Sequence, residues 1–589
     1  MPTDAVTPTI DDPITSEIIR NGLMVAVEEA SIAVVRSSHS SFIQEGADAC
    51  AALLDADGGL VAQSTTTSLM HSASLRCSLP ALLADVPAAS MAPGDVFAQN
   101  DPYRGGIHAN DIVVFRPIFA EGRVVFFAGT LIHVADVGGI SVAGLAALAT
   151  DTFAEGLLLP PVRLYAADEP VADVIRIIER NSRAPDKVIG DVKALVAGTS
   201  VIARRVGELA DRYGAGTLVR FARHAMDHAE RQMRAGLARI PPGTYEGAFE
   251  IDGDGVDADR EFTVRVAVTL DGSGGVELDF AGTSPQARGM INSSYSQTLS
   301  GVLYAVRCFV DPTIAMNEGC FRPLTTRLPP GTLVNPAPPA ACGGRLMTVA
   351  AAVEAILGAL SAARPDHAVG ASSLIHVWTL TGVDPSGQRW LNLFYEFGGL
   401  GARTGKDGPD ATGAFFLGGR SVIPQLEPLE AQYPFVVRST RLWPDSGGPG
   451  EARGGLGVET VIELLTDAEV TVRGARMDIP PPGRGGGHPG AAGTWSVERL
   501  DGASEVVPAK ATNIPLAAGE RFVLRTSGGG GLGPPERRDP RLVLDDVRSG
   551  KVTVAGAARD YGVVIDVERD AVDAGATAAL RAERSGRHE

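Results

Sequence analysis

DIVVFRPIFAEGRVVFFAGTLIHV, residues 111–134, contains two apolar runs that are separated by Glu121-Gly122. Apolar runs on either side of a two-residue, glycine-containing turn predict a β-hairpin. The preceding stretch, NDPYRGGIHAN at 100–110, adds a Gly-Gly pair and a histidine in front of the first strand. A polar, glycine-rich loop thus runs directly into a strand, and its histidine is a candidate site residue.

The register of this hairpin decides which side chains share a face of the sheet. A two-residue turn pairs Ala120 with Arg123, and the same regular register pairs Asn110 with His133. His108 then lies on the same face as His133, one diagonal step away, with about 7–8 Å between the α carbons. Two imidazoles at that separation can converge on one ion.

A carboxylate would complete such a site, and Asp111 is the nearest one. In a regular strand Asp111 lies on the opposite face, so it joins the histidines only if the strand begins after it or a β-bulge re-aims it. Histidine and carboxylate ligands without cysteine favour Mn, Fe or Zn. The alternative is a pair of histidines in a polar loop, hydrogen-bonded to Asp101 or Asp136.

A second histidine pair, His224 and His228 in RHAMDHAERQMR, has the i, i+4 spacing that puts both rings on one helix face. The glutamate that follows the first histidine of an HExxH metal helix is missing here. A solvated helix face is therefore the interpretation that we prefer for this pair.

Two glycine-rich stretches match nucleotide-binding loops only in part. GGGGLG at 528–533 satisfies GxGxxG, but Pro534-Pro535 follows it where a helix N-terminus should receive the pyrophosphate. GARTGKD at 401–407 lacks the leading glycine of a P-loop and has Asp407 in place of Ser or Thr. Neither stretch gives a reason to place ATP on this chain.

The bulk composition indicates a globular protein without nucleic-acid partners. Hydrophobic residues make up 44% and charged residues 21% of the 589 residues, and the net charge is −18 without a Lys/Arg-rich run.

Five scattered cysteines without a CxxC pair fit reduced thiols in a cytoplasm. The acidic stretch 1–17 has no signal-peptide core. Residues 346–363 are apolar but contain Glu354, which favours a buried helix over a membrane span.

The order of predicted elements indicates an α+β fold with several mixed sheets in more than one domain. We expect an N-terminal metal-binding α/β region and a β-rich central and C-terminal region, because helical periodicity before about residue 240 gives way to strands and turns after it. The expected domains are a metal-binding α/β domain at 1–240, a mixed α/β domain at 241–370, a β-rich domain with Gly/Pro loops at 371–535, and a helical tail at 536–589.

Many motifs, taken in order, resemble those of the hydantoinase B/oxoprolinase family. They include NDPYRGGIHANDIVVFRPIF at 100–119, EGLLLPPVRLY at 155–165, NSRAPDKVIGDVKAL at 181–195, NEGCFRPL at 317–324, NPAPPAACGG at 335–344 and SGGGGLGPPERRDP at 527–540. One such motif alone is weak, whereas a series in the family's order along most of the chain is specific. The family usually reads GGGGYGDP where this chain has GGGGLGPP, so a role of that Tyr and Asp is not expected here.

The resemblance implies one subunit of a two-component enzyme, whose hydantoinase A-like partner holds ATP and magnesium. Such pairs open cyclic amides such as hydantoin, N-methylhydantoin, 5-oxoproline or caprolactam. A carboxylase branch instead activates acetone or acetophenone with bicarbonate. The compact chain favours a ring-opening amidohydrolase, while a carboxylase subunit and a non-catalytic scaffold for the partner ATPase stay open as alternatives.

The resemblance also implies a set of metal ligands. In the carboxylase branch the B-like subunit holds a divalent metal through Glu, His, Asp and His, which the motifs place on Glu45, His108, Asp111 and His133. Asp48 stays an alternative to Glu45. The resemblance therefore implies the bulged form of the hairpin and an ion such as Mn, Zn or Fe.

Further residues near these motifs are expected to serve the reaction. Asp101 and Arg104 are expected to contact substrate or a phosphorylated intermediate, and Asp136 and Asn110 to orient the imidazoles. A metal on one chain and a nucleotide on another must share one reaction space, because an activated intermediate would hydrolyse in bulk water. We therefore expect a large permanent interface and, from two-fold symmetry, a cytoplasmic heterotetramer with two chains of each type.

Overall fold

The structure is a computed structural model, and it describes residues 12–65, 71–141, 144, 146–257, 260–412 and 425–585. It confirms the expected α+β fold, with helices and several separate sheets. The described residues form two compact units, one within 12–247 and 264–356, the other within 248–263, 357–412 and 425–585. The finer division into four domains stays a prediction.

The longest helices of the described residues lie in the N-terminal half of the chain. In chain order the helices are α1 (Pro13–Ser37), α2 (Ser41–Gly46), α3 (Ser72–Asp85), α4 (Thr152–Glu155), α5 (Ala172–Arg180), α6 (Pro185–Tyr213), α7 (Ala215–Leu237), α8 (Tyr295–Val310), α9 (Leu346–Ala363), α10 (Leu426–Gln432), α11 (Pro540–Arg548), α12 (Val554–Tyr561) and α13 (Ala574–Ser585).

The strands alternate with turns through most of the chain. In chain order they are β1 (Ala49–Asp55), β2 (Leu60–Gln63), β3 (Val96–Gln99), β4 (Asp111–Ala120), β5 (Arg123–His133), β6 (Val162–Ala166), β7 (Glu169–Pro170), β8 (Gly243–Ile251), β9 (Phe262–Leu270), β10 (Val276–Asp279), β11 (Leu324–Arg327), β12 (Ile375–Val383), β13 (Arg389–Phe397), β14 (Phe435–Leu442), β15 (Val458–Leu464), β16 (Ala468–Arg473), β17 (Thr494–Glu498), β18 (Ser504–Val506), β19 (Lys510–Leu516), β20 (Arg521–Arg525), β21 (Ile565–Asp566) and β22 (Ala571–Val572). Their sheets have the orders β2-β1-β5-β4-β3-β6-β7, β11-β10-β9-β8, β13-β12-β16-β19, β14-β15-β20-β17-β18 and β21-β22.

The seven-stranded antiparallel sheet carries the site, and helices cover it on both faces. Thr130 of β5 donates a hydrogen bond of 3.0 Å to the Leu195 carbonyl of α6, which places α6 on one face. A β carbon on the neighbouring Gly129 would lie 3.1 Å from the Leu75 side chain, which places α3 on the other face. Because alternate residues of a strand share a face, His133 points to the same side as Gly129.

The sheet buries a continuous apolar core against α1 and α6. The cluster includes Val34 of α1, Val192 and Leu195 of α6, and Ile112 and Ile132 of the hairpin, all of them almost fully buried. Complete burial of such a side chain stabilises the fold by about 1.5–3 kcal/mol. The apolar residues that predict the hairpin thus also fix it between helices.

The hairpin contains a β-bulge that shifts its register by one residue. The turn pairs Ala120 with Arg123 as expected, but the register changes between Ile118 and Phe119. Beyond this point Asp111, not Asn110, lies opposite His133. The expected pairing of Asn110 with His133 is therefore wrong, because the bulge lies near the turn and moves the rest of the ladder.

Helix α9 is long and apolar enough to cross a membrane, yet 83% of it is buried inside the protein. Its one acidic residue, Glu354, is only 1% exposed. An Ala-rich helix packed in this way agrees with the buried helix that the sequence predicts.

Two glycines that flank β4 give a matched test of how its preceding loop packs. Gly105 and Gly122 both have positive φ, +93° and +75°, so alanine at either position is strained by about 1–2 kcal/mol. A β carbon on Gly105 would also lie 2.4 Å from backbone atoms of Cys77 and Ser78 in α3, whereas one on Gly122 meets no described atom within 4 Å. We expect Gly105→Ala to lower the calorimetric unfolding temperature clearly more than Gly122→Ala. Equal losses would contradict the close contact between this loop and α3.

Candidate metal centre

Three side chains converge where the hairpin β4–β5 meets the preceding loop. His108 Nε2 lies 3.1 Å from His133 Nδ1. Asp111 Oδ2 lies 3.2 Å from His108 Nε2, and Asp111 Oδ1 lies 3.3 Å from His133 Nδ1. The exposed fraction is 1% for His108, 0% for Asp111 and 6% for His133.

One ring nitrogen of each histidine and one carboxylate oxygen of Asp111 all lie within 4.8 Å of one another, close enough to converge on one divalent ion. Ligand atoms about 2.1 Å from one ion lie about 3.0–3.4 Å apart when the ligand–ion–ligand angles are 90–109°. Two imidazole nitrogens and a carboxylate oxygen are donors that Zn, Mn and Fe accept. Within the described part of the chain, no second group of three or more His, Cys, Asp or Glu side chains offers ligand atoms this close together. His108, Asp111 and His133 can therefore hold a metal ion.

The Asp111 carboxylate is buried among positive groups. Burial alone would raise the pKa of the Asp111 carboxyl, but the charges of His108 and Arg345 and the hydrogen bond with His133 hold this pKa well below its usual range. Arg345 Nη2 donates to Asp111 Oδ2 at 3.2 Å and is itself 5% exposed. The carboxylate is therefore kept ionised, which is the form that binds metal.

The loop before β4 is tied to the end of β5 by Asn110. The Asn110 carbonyl accepts from the Val134 N–H at 2.9 Å, and its side-chain amide donates to the Val134 carbonyl at 3.1 Å. The Asn110 N–H also donates to His108 Nδ1 at 3.3 Å. Asn110 does not lie opposite His133, and its expected role in orienting the imidazoles stays a prediction.

Arg345 and Glu155 belong to the surroundings of the site, and sequence reasoning missed both. Glu155 is 2% exposed and accepts hydrogen bonds from the N–H groups of Cys342 and Gly343, at 3.0 and 2.5 Å. These bonds fix the chain just before Arg345. The one sequence signal was the motif NPAPPAACGG, which ends directly before Arg345 but has no metal-ligand spacing.

The structure places Asp101 and Arg104 in other contacts. Asp101 accepts from the Tyr103 N–H at 2.9 Å and so caps the short 3₁₀ turn Pro102–Arg104. Arg104 forms two hydrogen bonds, of 2.6 and 2.7 Å, with Asp85 of α3. Arg104 and Tyr103 line a cavity of about 670 Å³, whose lining does not include the three converging side chains. The expected contact of Asp101 and Arg104 with substrate stays a prediction.

Asp136 is fully buried and holds Arg183. Its carboxylate accepts from the Arg183 N–H at 2.6 Å and from Arg183 Nη1 at 2.9 Å. It also accepts from the Gly138 N–H at 3.3 Å. These contacts fix the loop after β5, and the expected role of Asp136 in orienting the imidazoles stays a prediction.

The fourth expected ligand lies in α2. The backbone of Glu45 belongs to this helix, but its side chain is outside the described residues. The alternative, Asp48, has Oδ1 3.4 Å from Nε2 of the buried His71. The choice between Glu45 and Asp48 therefore stays a prediction.

The second histidine pair faces a different part of the molecule. His224 and His228 lie on α7 and line a groove of about 830 Å³ together with Glu17 and Arg20 of α1. Burial, the nearby Arg231 charge and His224 lower the pKa of His228. No third metal-binding side chain of the described residues joins this pair, and the preferred interpretation of a solvated helix face stays a prediction.

Comparison with known sequences identifies relatives along the whole chain. The profile of the Hydantoinase B/oxoprolinase family matches residues 12–535. The chain is 32% identical to the beta subunit of caprolactamase from Pseudomonas jessenii, over 97% of this chain and 99% of that protein. It is 30% identical to the B-type subunit of a candidate D-/L-hydantoinase from Pseudomonas sp. strain NS671, over 97% of this chain and 98% of that protein.

Comparison with solved structures agrees with this. The ATP-dependent caprolactamase from Pseudomonas jessenii matches with a TM-score of 0.86 at 31% identity, over 98% of this chain and 100% of that chain. Nucleotide-free acetone carboxylase matches with a TM-score of 0.89 at 23% identity, over 98% of this chain and 83% of that chain, which is a likeness of fold. The family resemblance of the ordered motifs is thus confirmed, and the chain belongs to the Hydantoinase B/oxoprolinase family.

Proposed function

We propose that this chain is the metal-binding, B-type subunit of an ATP-dependent enzyme that opens a cyclic amide. The observation that carries the proposal is the convergence of His108, Asp111 and His133 at distances that suit one ion. The relatives at 30% identity or more support the reaction class, since their names are those of a caprolactamase and a hydantoinase. The substrate is proposed to be a hydantoin, N-methylhydantoin, 5-oxoproline or a lactam.

A cyclic amide is resistant to water because resonance strengthens its C–N bond. Phosphorylation of the carbonyl oxygen by ATP on the partner subunit would give that oxygen the character of a leaving group. A divalent ion, Mn, Zn or Fe, would supply Lewis acidity and favour the ionisation of water near neutral pH. Glu45 is proposed as its fourth ligand, beside His108, Asp111 and His133.

The residues around the ligands prepare the site before substrate arrives. Arg345 donates a hydrogen bond to one oxygen of Asp111 and so holds this ligand in place. Almost complete burial of the three ligands strengthens the charge interactions among them. Such preorganisation lowers the cost of bringing reacting groups together.

The remaining predicted residues are proposed to act around this centre. The cavity of about 670 Å³ beside Arg104 is large enough for a small cyclic compound. Arg104 lines this cavity, and Asp101 and Arg104 are proposed to contact substrate or a phosphorylated intermediate. Asp136 is proposed to act indirectly, by holding the loop that follows β5, the strand that ends at His133.

Ring opening is preferred to carboxylation for this chain. Its relatives at 30–32% identity include one chain of a caprolactamase and one of a hydantoinase, whereas acetone carboxylase is similar at 23%. Bicarbonate would be a reactant only in the carboxylase alternative. The scaffold alternative predicts that the partner turns over substrate without the three ligands.

Metal content gives the first test of the proposal. We expect the purified chain to contain about one equivalent of Mn, Zn or Fe, because three to four protein ligands hold such ions tightly. Inductively coupled plasma mass spectrometry measures this content. His108→Ala and His133→Ala should each lose most of it. His224→Ala is the matched control, since this histidine belongs to the other pair and should leave the metal content unchanged. Full metal content in His108→Ala and His133→Ala would exclude the assignment.

Turnover with the partner gives the second test. Co-expression with an A-type subunit should produce hydrolysis of at least one of caprolactam, hydantoin, N-methylhydantoin or 5-oxoproline that depends on ATP. His108→Ala should reduce this rate by about 100-fold, since loss of a partner outside the ligand shell already costs about 10–100-fold, while His224→Ala should not. Labelled bicarbonate found in a stable product would favour the carboxylase alternative, and unchanged turnover in His108→Ala would favour the scaffold.

The proposed assembly is a cytoplasmic heterotetramer with two chains of each type. Both relatives are named as one component of a larger enzyme, the caprolactamase chain as its beta subunit, and this supports a partner for the present chain. We expect native mass spectrometry of the co-expressed protein to give a mass of two copies of this 61.1 kDa chain and two of its partner. Ring opening by this chain as a monomer, without an A-type subunit, would contradict the assembly.

A further inference from the structure

A buried carboxylate on α6 holds the chain directly before α2. Asp191 is fully buried, and its Oδ1 accepts hydrogen bonds from the N–H groups of His39 at 2.7 Å and of Ser40 at 3.2 Å. The Ser40 hydroxyl donates to Oδ2, the other oxygen of the same carboxylate. Three donors from two consecutive residues therefore meet on one side chain that lies far away in the sequence.

The residue before Asp191 lets this segment approach α6 closely. A β carbon on Gly190 would lie well inside van der Waals contact with the ring of His39. Gly190 and Asp191 both belong to the motif NSRAPDKVIGDVKAL at 181–195, to which the metal ligands assign no role. The motif thus brings the start of α2 directly against α6.

Helix α2 packs at the end of the hairpin that carries the proposed ligands. Its Ile43 is fully buried and belongs to the same apolar cluster as Ile112 and Ile132. These two residues of the hairpin are the neighbours in sequence of Asp111 and His133. The position of α2 is therefore coupled, through close packing, to the strand ends where the ligands converge.

The other end of α2 is joined to the same sheet by a short connection. The helix ends at Gly46, β1 begins at Ala49, and Ala49 pairs with Ile132 of β5. Both candidates for the fourth ligand, Glu45 and Asp48, lie at this end of α2. A shift of α2 relative to α6 would therefore move either candidate relative to the hairpin.

We propose that Asp191 is a positioning residue for the metal centre. It holds α2, and with it the fourth ligand, in place beside the three ligands of the hairpin and its preceding loop. The inference rests on the proposed function of the chain as a metal-binding subunit. It is the same for Glu45 and for Asp48, since both follow the segment that Asp191 holds.

The test measures the zinc affinity of the metal-free whole chain by competition with a chromophoric chelator. Asp191→Ala should weaken zinc binding by about tenfold or more, the range typical of groups that orient metal ligands. Asp191→Asn should retain most of the affinity, because its amide oxygen can still accept from both N–H groups. Thr199→Ala is the matched control, since Thr199 is equally buried on α6 but its hydroxyl donates to the Val196 carbonyl. This control should keep the wild-type zinc affinity.

A second pair of variants decides the question if Asp191→Ala does not fold. Ser40→Ala removes one of the three hydrogen bonds and should weaken zinc binding by a smaller factor. Ser38→Ala is its control, because Ser38 is also buried but its hydroxyl donates to the Val34 carbonyl of α1. Wild-type zinc affinity in folded Asp191→Ala or in Ser40→Ala, or an equal loss in the matched controls, would overturn the proposal.

His108→Ala in the same titration separates this inference from the proposed function. Loss of tight zinc binding in His108→Ala, together with wild-type affinity in Asp191→Ala, would retain the metal centre and remove only the role of Asp191. Tight zinc binding in His108→Ala would instead contradict the metal centre itself, and the inference with it.

Discussion

The pairing of Asp111 with His133 across the β4–β5 ladder is the constraint on which the proposed centre depends. Opposite residues of an antiparallel pair share a face, and a slip of one residue sends one of them to the other face. Neighbouring strands fix this register, since Ile132 pairs with Ala49 of β1 and Val113 pairs with Gln99 of β3. The bulge near the turn absorbs the mismatch, so that the ligand end of the hairpin is set by the sheet.

The pairing buries the Asp111 carboxylate inside the protein, so this carboxylate needs positively charged or hydrogen-bonding neighbours. An isolated carboxylate in the core would cost several kcal/mol or would take up a proton. Asp111 avoids this because His108, His133 and Arg345 all lie within hydrogen-bonding or ion-pair distance. Arg345 comes from a distant part of the sequence, and Glu155 fixes the loop that carries it. The site therefore joins three separate segments of the first unit.

Much of this centre is predictable from the sequence, and the remainder has physical reasons for being hidden. The hairpin follows from the apolar runs around Glu121-Gly122, and it places His133 close to His108 of the preceding loop. The one-residue register shift does not, because it depends on how β5 pairs with β1 and β4. Arg345 was missed because a single arginine has no spacing signal. The α+β class followed from the change in periodicity, whereas Glu45 came only from the family resemblance.

Crystallographic anomalous scattering from the purified protein tests the central claim most directly. Data collected on both sides of the absorption edge of the metal that the protein contains locate that ion independently of the assigned ligands. The account predicts a single strong peak about 2.1 Å from His108 Nε2, His133 Nδ1 and an oxygen of Asp111. A peak beside His224 and His228, or no peak between the three proposed ligands in metal-replete protein, would contradict it.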